Sequence, residues 1–89
     1  MKQKDFYVEW LVAWFSGRVE MPSGAVHRNF FVEGWLDSFN TLELILEMET
    51  AFNISLNDSI LSDPRFSSIS GLSEILFEMQ EDGGSPPTR

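Results

Sequence analysis

Apolar residues recur along this chain at spacings of three and four in three separate stretches, each bounded by residues that start or stop helices. From Asp5 to Phe15, one line of Phe6, Trp10 and Trp14 lies beside a second of Val8, Leu11 and Phe15. Together they make a broad stripe that a helix would bury, with Asp5 able to cap its start and Ser16-Gly17 supplying the stop. A second helix is predicted from Ser38 to about Phe52, with Thr41, Leu44, Ile45, Met48 and Phe52 facing inward. Asn53 tolerates the left-handed conformation that ends such a helix. A last helix, capped by Ser67 or Ser68, runs to about Gln80 and buries Ile69, Leu72, Ile75, Leu76 and Met79. Between these two, Asn57 to Leu61 fits one short helix, because Pro64 forbids a longer one. The pattern predicts an all-α fold, a small four-helix bundle of three longer helices and one short one.

Gly17 to Leu36 breaks the periodicity. Pro22, Ser23 and Gly24 interrupt it, yet Phe30-Phe31-Val32 is too apolar to be free in water. A connection of about twenty residues without a regular element is unusual in a small domain unless it is packed. Phe30, Phe31 and Trp35 are predicted to anchor this long first loop in the core, with one helical turn somewhere in Val26 to Phe31. At the other end, Glu81 to Arg89 contains Gly83-Gly84 and Pro86-Pro87 and lacks apolar periodicity. We expect residues 1–80 to form the folded domain and 81–89 a flexible tail.

At 89 residues the chain has room for one core, and the 43% hydrophobic content argues that its net charge of −8 belongs to a folded surface. Such a surface repels nucleic acid and anionic membranes and favours basic protein partners. There is no cysteine, which removes disulfides, thiolate metal sites and cysteine nucleophiles. The longest apolar run, Trp10 to Phe15, is too short to span a bilayer. A soluble, cytoplasmic, monomeric protein is the expectation.

Candidate chemistry concentrates where Gly34-Trp35-Leu36-Asp37-Ser38-Phe39 runs into the acidic second helix. A hydroxyl on the first turn faces unpaired N–H groups and the positive end of the helix dipole, both of which favour a phosphate ester. The chain carries its own control, since Asp58-Ser59-Ile60 repeats the local pattern where Pro64 leaves no room for a long helix. Ser38 also has a purely structural reading as an ordinary helix cap.

Asp37-Ser38, followed by a large apolar residue and an acidic helix, resembles the attachment signature of acyl carrier proteins, with Phe39 where leucine is usual. The likeness continues from Phe31 to about Leu76: turn glycine, Asp-Ser, acidic helix, the short segment at Asn57 to Leu61, the Asp63-Pro64-Arg65-Phe66 break and a final helix. Carrier proteins likewise join their first two helices by a long ordered loop. The resemblance implies that a phosphopantetheinyl transferase uses coenzyme A to place 4′-phosphopantetheine on Ser38, with Asp37 positioning the modifying machinery and its divalent metal. The group's thiol would hold an acyl or aminoacyl cargo as a thioester. Leu56, Ile60, Leu61 and Phe66, with Phe39 and Met48, have two readings: the lining of a space between helices for an acyl chain, or plain core. It also implies partners: an acyl- or aminoacyl-loading ligase and acyltransferase or synthase enzymes with basic docking patches. These would meet Phe39, Asn40, Leu42, Glu43, Leu46, Glu47 and Glu49 on the second helix. Phe39, Asn40 and Thr50-Ala51 depart from the common pattern, and the Leu-Asp-Ser-Phe variant is similar to D-alanyl, peptidyl-type and other carriers outside bulk fatty-acid synthesis. A specialised lipid, polyketide or cell-envelope pathway is the expectation; an unmodified acidic helical module that only binds a protein is the alternative.

An enzyme is not expected. A catalytic serine needs a base, and the one histidine, His27, sits in the long loop with no motif tying it to Ser38. Glu43 and Glu47 lie one turn apart on an exposed helix face, where nothing raises a carboxylate's pKa for acid–base work. Neither acidic stretch has the ligand spacing of a calcium loop, so no catalytic or metal-ligating residue is assigned.

Overall fold

Four helices and one 3₁₀ turn succeed one another in the computed structural model, which describes residues 4–81. They are α1 (Lys4–Ser16), the 3₁₀ turn (Ala25–His27), α2 (Ser38–Phe52), α3 (Asp58–Leu61) and α4 (Ile69–Glu81). Among the described residues there is no strand, so the all-α fold with a long first loop is as predicted. The expected tail lies, past Glu81, outside the described residues.

The core is assembled by α1 and α4, which pack most extensively on each other, with α2 laid against them. From α1 come Tyr7, Leu11, Trp14 and Phe15; from α2, Leu44 and Met48; from α4, Ile69, Leu72, Ile75 and Leu76. Each such burial contributes about 1.5–3 kcal/mol, so a domain this small depends on all three stripes. The stripe on α1 is rotated from the predicted one. Tyr7 is fully buried and Phe6 is exposed, while Val8 and Trp10 are half-buried. Phe6 instead lies at the rim, edge-on to Tyr7 and Phe52.

The long loop is held by Phe30, Leu36 and Ala25, all buried. Phe30 stacks on Phe15 with 5.2 Å between ring centroids, and its N–H donates to the Ser67 carbonyl at 2.8 Å. Trp35 packs beside them half-buried, but Phe31 is exposed, contrary to its predicted role as an anchor. Asn29 is the cause: its side-chain Oδ1 accepts from the N–H groups of both Phe31 and Val32, at 2.9 and 3.0 Å, and turns that pair outward. The single helical turn exists but begins at Ala25 and ends at His27.

Asn53 closes α2 in the left-handed region, at φ 55 and ψ 53. Asn57 caps α3, its side chain accepting from the Ile60 N–H at 3.0 Å. At α4 the cap is Ser68, whose Oγ accepts from the Gly71 N–H at 3.0 Å; Ser67 instead donates its hydroxyl to the Pro64 carbonyl. Arg65 ties this corner to α4 by donating to Asp63 at 3.0 Å and to Glu78 at 2.8 Å. The guanidinium's hydrogen bonds hold both carboxyls below their ordinary pKa values. Gly71 lets the Arg65 backbone come so close that a Cβ would collide with it.

Candidate functional site

The approach to α2 is set by three successive devices. Gly34 adopts φ +78, a value that favours glycine, and Trp35 N–H then donates to the Phe30 carbonyl at 2.9 Å. Leu36 is buried and pins the chain, and Asp37 follows in an extended conformation. The Asp37 carboxylate accepts from the Asn40 N–H at 2.8 Å, while its backbone carbonyl accepts from the Thr41 N–H and, at 2.6 Å, from the Thr41 hydroxyl.

Asp37 is therefore the cap, and Ser38 is the first helical residue, exposed, with its hydroxyl in no hydrogen bond among the described residues. This removes the reading of Ser38 as an ordinary capping side chain. The N–H groups of Ser38 and Phe39 stand at the helix entrance without intrahelical acceptors. A phosphodiester on this oxygen would meet open space, two N–H donors and the positive end of a 15-residue helix. The geometry fits such a group.

Along α2, Phe39, Leu42 and Leu46 are 69%, 60% and 62% exposed and, three and four residues apart, form one outward line. The ridge continues into a shallow groove of about 330 Å³ lined by Trp10, Leu46, Glu47, Thr50 and Ala51. Asn40, half-buried, spends its N–H on the cap. The predicted acids are placed differently from the ridge. Glu49 reaches forward to accept from the Leu56 N–H at 2.8 Å. Glu43 and Glu47 turn toward Arg18, at 3.8 and 3.7 Å, and Glu47 also accepts from the Trp14 indole N–H at 3.0 Å.

Arg18 and Trp14 are thus part of this surface although sequence reasoning gave them no such role. A signal existed: Arg18 is four residues after Trp14, the spacing that lets a guanidinium lie over an indole. It lies 3.8 Å from the ring centroid.

The residues weighed as lining for a cargo or as plain core are placed unequally. Phe39 and Leu61 are exposed, Leu56 and Ile60 pack half-buried against the core, and Met48 and Phe66 are within it. His27 is exposed on the loop. Among the described residues, no three His, Asp or Glu side chains converge as a metal site.

A family model described as the phosphopantetheine attachment site matches residues 9–76, from the middle of α1 to the buried Leu76 of α4. No curated protein and no solved structure gives a significant match.

Proposed function

The chain belongs to the phosphopantetheine-attachment family, and from that premise we propose that Ser38 is its attachment residue. Members of this family are carriers that bear 4′-phosphopantetheine covalently and do no catalysis themselves. When bound, the group supplies a thiol that holds a carboxylic acid as a thioester. The observation that carries the assignment is a free, exposed hydroxyl on the first residue of the long, Asp37-capped α2. Asp37 keeps the helix entrance intact through one carboxylate oxygen, and Oδ2 accepts no hydrogen bond among the described residues. That second oxygen is available to the modifying enzyme.

Carriers of this kind meet a phosphopantetheinyl transferase and the ligase or synthase enzymes that load and use the arm. We take α2 as the face shown to them. The cargo is read as an acyl or aminoacyl group in a specialised pathway, on the strength of Phe39, Asn40 and Thr50-Ala51 in place of the commoner residues. Co-expression with a broad-specificity phosphopantetheinyl transferase, followed by intact-mass and peptide mapping, tests the core of this reading. One phosphopantetheine per chain on the peptide containing Ser38 is expected. A chain that stays bare with several transferases would leave only a protein-binding module.

A further inference from the structure

Resting on the reading that α2 is shown to partner enzymes, we infer that Arg18 determines which partners the chain accepts. It offsets one of the two charges of Glu43 and Glu47 from within the molecule and shifts the weight of contact on α2 to the Phe39, Leu42 and Leu46 ridge. The partner that fits is one that meets this face chiefly with an apolar recess.

Three acids lie on α2, and each already has a partner in the chain. Glu49 is taken by the Leu56 N–H. Glu43 and Glu47 flank the Arg18 guanidinium, which is fixed from below by the Trp14 ring and by donation from Nη1 to the Trp14 carbonyl at 3.3 Å. The Trp14 indole N–H holds Glu47 from the same side. An approaching lysine or arginine would meet a resident cation between the carboxylates it needs, and like charges side by side oppose docking. The three apolar side chains of the ridge have no such internal claim on them, and their line runs on into the groove beside Trp10. Burying them is the larger source of affinity on this face.

Each contact Arg18 makes is individually modest, so the effect is on preference and not on folding. The test uses two readouts. In the first, initial rates of loading by a phosphopantetheinyl transferase and coenzyme A are measured from about 50 to about 500 mM NaCl, a range over which the screening length shrinks severalfold. The wild-type rate is expected to change less than about twofold, while Arg18→Gln loads about fivefold faster at low salt and loses that gain at high salt. Arg18→Lys should behave as wild type. Leu42→Ser with Leu46→Ser should load about tenfold more slowly at every salt concentration.

The second readout does not depend on loading: hexalysine binding by calorimetry, expected about fivefold tighter for Arg18→Gln than for wild type. Arg28→Gln, which removes the same charge where Arg28 pairs with Glu33 on the loop, should change hexalysine binding little. Equal effects of Arg18→Gln and Arg28→Gln, or a steeply salt-sensitive wild type, would overturn the inference. If Ser38 is never loaded, the attachment reading fails by itself and hexalysine still decides the role of Arg18.

Discussion

Asp-Ser begins a helix twice in this chain, at 37–38 and at 58–59, and the two beginnings are built differently. Leu36 has no side-chain acceptor and is buried, so Asp37 takes the cap and Ser38 becomes the first helical residue. Asn57 can cap, and does; that moves the second beginning back by one residue, so Asp58 is the first helical residue and Ser59 the second. The helices differ as much as their entrances. α2 runs for 15 residues on the fully buried Leu44 and Met48, whereas α3 has four residues and buries none. Aligned peptide dipoles and firm anchoring accompany only Ser38. An identical dipeptide is thus given its meaning by the residue before it and by the length of helix after it.

The strongest way to break this comparison is to remove each serine. Ser38→Ala is expected to abolish phosphopantetheine addition, with Ser59→Ala leaving it complete, read as intact mass after co-expression with the transferase. Next in size is the anchoring. Leu44→Ala should destabilise the fold by about 2–5 kcal/mol, a large share of the roughly 5–15 kcal/mol typical of a domain. Ile60→Ala, at the one half-buried residue of α3, should remove about 1 kcal/mol; chemical denaturation compares the two.

The caps come third. Asp37→Ala should lower stability by about 1 kcal/mol and slow loading, while Asp37→Asn keeps the cap. A loading rate for the asparagine variant as low as for alanine would show that the carboxylate serves the transferase, and a wild-type rate would assign Asp37 to capping alone. The smallest effect concerns the turn after α3. Because Arg65 depresses the pKa values of Asp63 and Glu78, its contribution is present above their ordinary values of 3.8 and 4.5 and fades as pH falls through the lower folded values. Thermal unfolding between about pH 5 and pH 2 should therefore show a shallower loss for Arg65→Gln than for wild type.

Helix positions were legible because apolar period, caps and stops agreed: α2 was placed to both ends, Asn53 included, and α4 to within a residue of its end. What escaped was direction within an element. Phe6 and Tyr7 are adjacent and both aromatic, so only the angle at which α1 meets α4 decides that Tyr7 goes inside. In the loop, Asn29 spends its side chain on the backbone and evicts Phe31, a choice that composition cannot show. At the candidate site the helix entrance with Ser38 on its first turn is readable from local residues, whereas the fate of Glu43, Glu47 and Glu49 is not. Their partners Arg18 and Leu56 come from other segments, and pairing across segments is set by the packed whole.

The hydrogen bond from Phe30 to Ser67 has a consequence for the order of events in the cell. It hooks the connection that leads into α2 onto residues made much later, so a chain emerging from the ribosome lacks this hook on the entrance to α2 until Ser67 has cleared the exit. On the proposed reading of Ser38, attachment of the arm is expected to favour completed molecules over unfinished ones.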